Sequence, residues 1–389
     1  MKVFDDVAYL YAGHDHSANA TSYDMREWQV WASTDLRYWT HRTSIDPSTF
    51  HTGPTREAWA VDVARRGDTY YLYFSIGNRA TGVARAPSPI GPWEDALGRP
   101  LLDGSSTGGR DYDPSVLVDD DGTAYIVVGG PEWAYPGEGG YWIARLNDDM
   151  ISLAETPRRL LVDHPADDKA SLNRIGDRYY LTYAGHVAIS DRVYGPYRYL
   201  GSTGASLDHG SYFTWRGQLY GAFTIFDTSI WHRASGLCYA HQRDDGMLAV
   251  DSLVLEYGVH RYRAEWHRIG AEWFSSCSGG HKVESARGGF VVRFSEPGTI
   301  GWDGVEDGAS CTTLMICGAA SGDRPSAVRV TVDGRAIGNL SVGPTGAVDT
   351  PPFFVERISI PGVHRRLELM VEPAPGATVD LDWWRVQQG

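Results

Sequence analysis

The chain of 389 residues has a formal net charge of −14 and contains 22 Tyr, 14 Trp, 45 Gly and 20 Pro. This length predicts two domains, and the aromatic, Gly and Pro content favours short strands and tight turns over helices. The negative charge and the absence of Lys/Arg clusters argue against nucleic acid or an anionic membrane as a partner, because phosphate contacts need grouped cations.

The cysteine content and the N-terminus bear on where the protein acts. Four cysteines are too few and too scattered for a disulfide framework, and the sequence has no Cys-x-x-Cys metal pair. No apolar run reaches the ~18 residues of a membrane span. Residues 1–4 lack the basic-then-apolar pattern of a signal peptide. We expect a cytoplasmic protein if this N-terminus is genuine, and a secreted one if a leader was removed.

A motif made of a turn and an aromatic-rich apolar strand recurs along the first two thirds of the chain. Its copies read AYLYAG (8–13), YYLYFS (70–75), AYIVVG (124–129), YYLTYA (179–184) and LYGAFT (219–224). Most copies are followed by a further predicted strand. Because one small twisted sheet cannot bury both of its faces alone, repeats of this kind predict a five-bladed β-propeller. An ordinary β-sandwich with chance similarity is the alternative.

Asp113 stands where the third repeat begins, in the stretch DPSVLVDDDGTAYIVVGG. Asp121-Gly122 between two alternating apolar runs predicts a β-hairpin. Asp113 would therefore lie at the mouth of a strand with its backbone fixed, which suits acid/base chemistry. The simpler interpretation is that Asp-Pro only begins a turn.

Polar or aromatic residues precede four of the five repeated motifs at the equivalent place. They lie in the segments WAVD (59–62), DPS (113–115), DDKAS (167–171) and DHGS (208–211). We expect the strand before each motif to be the innermost strand of its blade, so that its end faces a shared axis. Carboxylates that converge repel one another and are costly to bury. The pattern therefore predicts a functional pocket on the axis.

The composition changes near residue 259, where a second all-β region begins. Its predicted strands include FVVRF (290–294), CTTLMIC (311–317), AVRVTVDG (327–334), LELMVE (367–372) and VDLDWWRV (379–386). These runs predict a β-sandwich of the jelly-roll type. The expected domains are residues 1–258 and residues 259–389.

The first region resembles glycoside hydrolase family 43, whose members are five-bladed propellers that act as inverting arabinofuranosidases and xylosidases. The matching motifs are AYLYAGHD, WAVD before YYLYFS, DPSVLVDDDGTAYI, ARLNDDMISL, GPY and DHGS. The resemblance implies an inverting, exo-acting enzyme that releases arabinose or xylose from plant-type glycans. Such enzymes use one carboxyl group to protonate the leaving oxygen and another to activate water. The sequence does not choose between the two sugars, or between exo and endo action.

The resemblance also assigns catalytic residues. Asp113 matches the residue that tunes the pKa of the general acid. Counting back from the YYL motif at 179–181 places the general acid at Asp168, one methylene shorter than the Glu of the family. Asp167 and Glu132 are weaker alternatives for the acid.

Four further residues are expected at the pocket. His209 matches a histidine near a central metal ion, often calcium, in the family. Trp59 would offer an apolar platform to a sugar ring, and Arg233, a looser match, would hold the sugar hydroxyls. Asp62 is expected at the pocket, with a turn that only lines the propeller as the alternative. No organic cofactor is implied.

The general base of the family is an Asp before the first strand, a position that would precede Met1. Asp5 and Asp6 have the character of turn residues, and Asp15 aligns with a His-Asp pair of the family. The sequence therefore identifies no base. Two alternatives to an active enzyme follow: a propeller that binds sugar but hydrolyses it poorly, and a non-enzymatic protein whose second region binds carbohydrate.

The second region resembles family 6 carbohydrate-binding modules in the segments GAEWFSSCSG and VDLDWW. Glu272 and Asp382 match positions that hold a structural calcium ion there, and calcium favours carboxylate oxygens. The binding loop of that family tends to read Gly-Asp-Trp, whereas residues 298–300 read Gly-Thr-Ile. A sandwich that only supports the propeller is an equal alternative.

Overall fold

The computed structural model describes residues 1–16, 21–205, 208–263, 268–285, 288–306, 311–346, 354–360 and 365–388. Within these ranges the protein is almost entirely β. Helix is limited there to one α-turn at Val254–Tyr257 and to 3₁₀ turns at Pro47–Thr49 and Ala271–Trp273. None of the helices described is long and apolar enough to cross a membrane.

The described part of the first region forms five four-stranded sheets, each with its strands in chain order. The first blade contains β1 (Lys2–Phe4), β2 (Val7–Asp15), β3 (Met25–Ser33) and β4 (Thr40–Ile45). The second contains β5 (Val61–Arg66), β6 (Thr69–Ile76), β7 (Ala80–Ala86) and β8 (Glu94–Asp95). The third contains β9 (Ser115–Val118), β10 (Ala124–Gly130), β11 (Gly140–Arg145) and β12 (Arg158–Arg159). The fourth contains β13 (Ser171–Ile175), β14 (Arg178–Tyr183), β15 (His186–Ser190) and β16 (Arg198–Ser202). The fifth contains β17 (Gly210–Trp215), β18 (Gln218–Ser229), β19 (His232–Gln242) and β20 (Leu248–Val250).

The predicted propeller is therefore confirmed, and each repeated motif forms the second strand of its blade. The first strands of different blades contact one another. Lys2 Nζ donates to the carbonyl of Val116 over 2.9 Å, and Lys169 Nζ donates to the carbonyl of Val61 over 3.2 Å. These bonds link β1 with β9, and the start of β13 with β5, as expected of innermost strands.

The blades are joined by apolar residues from facing sheets. Trp28, Val30, Val63, Leu72 and Phe74 pack together between the first and second blades, and each is almost fully buried. A side chain such as Trp28 contributes strongly, since truncating a buried aromatic residue to Ala costs about 3–5 kcal/mol. The alternating apolar pattern of each strand thus supplies both the sheet and its packing against the next sheet.

The predicted hairpin at Asp121-Gly122 is also present. Val118 pairs with Ala124 across the turn, and β9 and β10 run antiparallel from there. Asp119, the first residue of the turn, is buried and accepts a hydrogen bond from Arg174 Nη1 over 2.6 Å. Its carboxylate therefore fastens the third blade to the fourth.

The chain divides into two compact units. One comprises Met1–Phe213, Gly221–Cys238 and Gly246–Ser252, and the other comprises Thr214–Tyr220, Tyr239–Asp245 and Leu253–Gly389. Two short segments of the fifth blade thus group with the second unit. The predicted boundary between residues 258 and 259 stays a prediction.

The described part of the second unit is dominated by one nearly closed, sandwich-like sheet. Its strands are β22 (Ile269–Gly270), β23 (Ser276–Glu284), β24 (Phe290–Asp303), β26 (Cys311–Ala320), β27 (Ser326–Val332), β28 (Arg335–Val342), β29 (Phe354–Ser359), β30 (Arg366–Glu372) and β31 (Val379–Gln388). A separate parallel pair joins β21 (Tyr262–Arg263) to β25 (Val305–Glu306). The all-β expectation for this region is confirmed, whereas the likeness to family 6 modules stays a prediction.

Candidate active site

Asp113 lies at the mouth of β9, as the sequence predicts, and its side chain is only 2% exposed. Its backbone has a φ of +54°, which is unfavourable for a residue with a Cβ atom. Two hydrogen bonds to Ser75 fix it: the Asp113 N–H donates to Ser75 Oγ, and the Ser75 hydroxyl donates to Asp113 Oδ1, each over 2.9 Å. The carboxylate is therefore held rigidly at the inner end of the blade.

His209 brings the carboxylates of three blades together. Its Nε2 atom lies 3.4 Å from Asp168 Oδ1, 3.6 Å from Asp208 Oδ1 and 3.9 Å from Asp113 Oδ2. Three residues predicted from separate segments, Asp113, Asp168 and His209, thus form one cluster. Asp208 completes it.

The cluster shifts the protonation equilibria of its members. Burial raises the pKa of Asp113 to about 6, although the nearby charge of His209 opposes the shift. Burial alone would lower the pKa of His209, but the Asp168 and Asp208 carboxylates outweigh it and raise that pKa to about 9. For Asp168 burial favours a higher pKa, yet the charge and hydrogen bond of His209 keep it well below its usual range. At neutral pH an imidazolium therefore lies among carboxylates.

Asp168 is the most exposed carboxylate of the cluster, since 32% of its side chain is accessible. The Tyr141 hydroxyl donates to its carbonyl over 2.8 Å. The two alternatives for the general acid have other partners. Asp167 Oδ1 accepts from the indole N–H of Trp133 over 2.8 Å, and Glu132 pairs with Arg159 over 2.5 Å. Of these three carboxylates, Asp168 is the one that contacts His209.

Asp62 contacts the strands around it rather than the cluster. Its Oδ2 atom lies 3.0 Å from Lys2 Nζ and accepts from the Val116 N–H over 2.7 Å. Burial would raise its pKa, but the charges of Lys2 and Lys169 lower it below the ordinary value. These contacts join the inner strands of three blades. They fit the alternative interpretation, a residue that lines the propeller, better than a place in the pocket.

Arg233 is held by two carboxylates. Its Nε and Nη2 atoms donate to the two oxygens of Asp15 over 2.9 and 3.1 Å, and Nη1 donates to Asp208 Oδ2 over 3.0 Å. The guanidinium also lies 4.3 Å from the ring centroid of Tyr23. Asp208 thus connects Arg233 to His209, and the position of the arginine is fixed on several sides.

Aromatic rings line the same part of the first unit. Tyr23 contacts Trp231 edge-on with 4.7 Å between ring centroids, and it lies 6.0 Å from Trp59 in a similar orientation. Trp59 was predicted, but Tyr23 and Trp231 were not. Both lie outside the repeated motifs, so the sequence carried no positional signal for them.

The acidic residues near the N-terminus do not join the cluster. Asp5 and Asp6 have φ values of +50° and +61° between β1 and β2, as expected of turn residues. Asp5 accepts from Arg65 Nη1 over 2.9 Å. Asp15, the third such residue, is engaged by Arg233.

The two predicted calcium sites differ in whether their residues converge. The ligand atoms of Asp113, Asp168 and His209 all lie within 4.8 Å of one another. Calcium takes about six to eight oxygen ligands, whereas this set offers two carboxylates and one imidazole, so it fits calcium poorly. Among the described residues, Glu272 and Asp382 belong to no group of three converging His, Cys, Asp or Glu side chains. Calcium in either unit stays a prediction.

Comparison with known proteins gives a consistent result. Residues 2–197, half of the chain, match the family model described as glycosyl hydrolases family 43. The protein named beta-D-galactofuranosidase xynD from Aspergillus niger is 28% identical, over 58% of this chain and 75% of its own. The arabinoxylan arabinofuranohydrolase of Paenibacillus polymyxa is 30% identical over 44% of this chain, and the match spans only 33% of that protein.

Solved structures have the same fold. A family 43 arabinoxylan arabinofuranohydrolase from Bacillus subtilis aligns with 100% of this chain and 94% of its own at a TM-score of 0.57 and 20% identity. A family 43 enzyme from Xanthomonas citri, solved with xylose, aligns with 64% of this chain and 87% of its own at a TM-score of 0.56 and 25% identity. With the family match, the propeller and the carboxylate cluster in agreement, the chain belongs to glycoside hydrolase family 43.

Proposed function

We propose that this glycoside hydrolase releases terminal arabinofuranosyl or xylosyl residues from plant-type glycans by attack of water with inversion of the anomeric centre. The proton of that water passes to a base other than Asp113, Asp168 and His209, because Asp168 delivers a proton, Asp113 holds one and His209 is an imidazolium. The names of its relatives support this class of substrate: besides the arabinofuranohydrolase, a xylosidase/arabinosidase 43A from Humicola insolens is 28% identical over 51% of this chain. The observation that carries the proposal is the cluster of Asp113, Asp168 and His209, in which Asp113 has a pKa of about 6.

The carboxyl groups of Asp113 and Asp168 differ in their exposure to a substrate. Asp113 is almost fully buried, whereas Asp168 is partly accessible. We therefore assign proton delivery to the leaving oxygen to Asp168, and we assign Asp113 the role of adjusting the proton affinity of its neighbour. Burial, with a smaller contribution from the charge of Asp168, raises the pKa of Asp113, so this residue holds a proton within the cluster up to about pH 6.

His209 supports this arrangement through its charge. Its imidazolium, with a pKa of about 9, stabilises the Asp168 carboxylate in the free enzyme. A bound sugar that separates Nε2 from Asp168 Oδ1, now 3.4 Å apart, would raise the pKa of Asp168 and favour its protonation. Binding and acid strength are linked in this way.

The rest of the pocket suits a neutral sugar. Trp59, Tyr23 and Trp231 offer apolar ring faces, on which the C–H groups of a pentose can pack. The Arg233 guanidinium is already neutralised by Asp15 and Asp208. It therefore does not favour an anionic substrate, and the second N–H of its Nη1 atom can donate to a sugar hydroxyl.

Substrates with different leaving groups test the role of Asp168 as the general acid. Nitrophenolate departs without a proton, whereas the alcohol of a natural oligosaccharide needs one. We would assay the protein and Asp168→Asn on p-nitrophenyl α-L-arabinofuranoside, β-D-xyloside and β-D-galactofuranoside, and on arabinoxylan and xylan oligosaccharides. The anomer of the first product would be followed by proton NMR, and Asp167→Asn would be the matched control.

We expect turnover of an arabinofuranoside or xyloside with an inverted first product. Asp168→Asn should lower the rate on oligosaccharides about 100-fold or more and affect the nitrophenyl glycoside much less. Asp167→Asn should stay close to the parent protein on both, because the amide oxygen can still accept from Trp133 and from the Asp168 N–H. Equal losses on both substrate types would contradict the role of Asp168 as acid. Cleavage of the galactofuranoside alone would contradict the proposed sugar.

A further inference from the structure

A second cluster of titratable side chains joins the paired strands β2 and β3 of the first blade. His14 Nδ1 lies 2.7 Å from Glu27 Oε1, and His16 Nε2 lies 2.8 Å from Glu27 Oε2. The two imidazole rings lie 4.4 Å apart between centroids. Ligand atoms of all three side chains lie within 4.8 Å of one another. Two imidazoles and a carboxylate thus converge on one point.

The strand geometry explains this convergence. Side chains two residues apart on an extended chain point to the same side. The side chains of His14 and His16 are both partly exposed whereas that of Asp15 between them is buried, so the two imidazoles share one side, although the pairing of β2 with β3 shifts register between Gly13 and Asp15. The N–H of His16 donates to the carbonyl of Asp24 over 3.0 Å, which continues the ladder beyond β2. Glu27 stands on the neighbouring strand and bridges the two rings. The cluster therefore lies on the opposite side of the strand from the bond between Asp15 and Arg233.

The donor set is one that borderline divalent metals bind. Imidazole suits zinc, copper and nickel, and carboxylate completes many such sites. Zinc binds at about 2.0–2.1 Å to each ligand, which separates tetrahedral ligands by about 3.3 Å. His14 contacts Glu27 Oε1 over 2.7 Å and His16 contacts Glu27 Oε2 over 2.8 Å. For an ion bound by both oxygens of the carboxylate, each contact would need to open by only about half an ångström.

Solvent can reach the cluster. The side chain of His14 is 40% exposed and that of His16 is 26% exposed, which leaves an approach for the ion and space for water as a fourth ligand. We propose that His14, His16 and Glu27 form a binding site for a zinc-class divalent ion, separate from the carboxylate cluster around His209. The ion would fasten the end of β2, which carries Asp15, to the start of β3, which carries Met25. Arg233 contacts both of these residues.

The proposal is tested with zinc alone. Zinc would be titrated into the metal-free protein against a chromophoric chelator, and the melting temperature would be measured with and without zinc. The variants are His16→Ala and Glu27→Gln. His41→Ala, an exposed histidine on β4 of the same blade, is the matched control, and His209→Ala tests the other cluster. Cobalt(II) absorption would report tetrahedral coordination independently.

We expect zinc to bind the parent protein, His41→Ala and His209→Ala and to raise their melting temperatures, because an ion that binds only the folded state stabilises it. His16→Ala and Glu27→Gln should lose at least about tenfold in affinity while melting like the parent protein without metal. The proposal is overturned if zinc in molar excess fails to bind, if His16→Ala binds it unchanged, or if His209→Ala abolishes binding.

Discussion

The backbone N–H of Asp113 and the hydroxyl of Ser75 form a reciprocal pair of hydrogen bonds, each 2.9 Å long. The hydroxyl donates to the carboxylate and stabilises its ionised form. It therefore opposes burial, which is the larger effect and raises the pKa of Asp113 to about 6. Ser75 thus keeps the pKa of Asp113 lower than burial alone would make it.

Ser75→Ala should move the pH profile of the enzyme. A hydrogen bond to a charged group contributes about 1.5–3 kcal/mol, and a protonated carboxyl keeps part of it, so its loss should raise the pKa of Asp113 by up to about one unit. If the cluster must be protonated to act, kcat/KM falls as the pH rises through this pKa, near pH 6. The falling limb should therefore move to higher pH on an oligosaccharide substrate. Ser33→Ala, a buried serine of the first blade, is the control, and an unmoved or lowered limb in Ser75→Ala contradicts the assignment.

Asp113→Asn should abolish turnover without unfolding the protein. The amide keeps the size of the side chain, and its oxygen can still accept from Ser75. It also removes a buried carboxylate whose ionised form is penalised by burial. We expect at least a 100-fold loss of kcat/KM, of the order of a general acid–base contribution of about 10²–10⁴, with a melting temperature close to that of the parent. A large fall in melting temperature together with residual activity would instead indicate a structural role.

The propeller could be predicted from the sequence because each blade repeats the same local pattern. Each copy of the motif combines a turn with an apolar strand that packs against the next sheet, so local and global structure agree. The carboxylate cluster was also predictable, because Asp113, Asp168 and His209 occupy equivalent places before the repeated strands. Residues that contact the cluster or Arg233 from another blade, or from outside the repeats, could not be predicted in this way.

Ser75 and Tyr23 illustrate the difference. Ser75 lies inside a repeated strand and reaches Asp113 of the next blade, a contact that depends on how two blades pack. Tyr23 lies outside the repeats and reaches Arg233 of the fifth blade. Asp62 was expected at the pocket, but its contacts to Lys2 and Val116 come from neighbouring inner strands that sequence spacing does not reveal.

His209→Gln should change how stability depends on pH. The pKa of His209 is raised from 6.5 to about 9 in the folded protein, so its protonated form stabilises the fold. That contribution is fully present below about pH 6.5 and is lost as the pH rises through about 9. It amounts to at most about 3 kcal/mol.

The measurement for His209 is thermal unfolding between pH 6 and pH 10. Because the charge of His209 also lowers the pKa of Asp113, both proteins carry Asp113→Asn. The one that keeps His209 should lose several degrees more in melting temperature over this range than the one with His209→Gln. Parallel curves for the two proteins would mean that His209 is not protonated among its carboxylates.

Trp133 should contribute to binding of the part of the substrate beyond the scissile bond. Trp133 is 74% exposed. Its indole N–H donates over 2.8 Å to Asp167, which precedes the proposed acid Asp168 in the chain. An exposed indole held by such a bond is a rigid surface for a second sugar ring. One aromatic contact contributes about 0.5–1.5 kcal/mol. Trp133→Ala should therefore raise KM for oligosaccharides several-fold and leave KM for the nitrophenyl glycoside largely unchanged. Tyr38→Ala, an exposed aromatic residue of the first blade, is the matched control and should change neither value. If Trp133→Ala lowers kcat equally on both substrates, the indole acts instead by positioning Asp167 and Asp168.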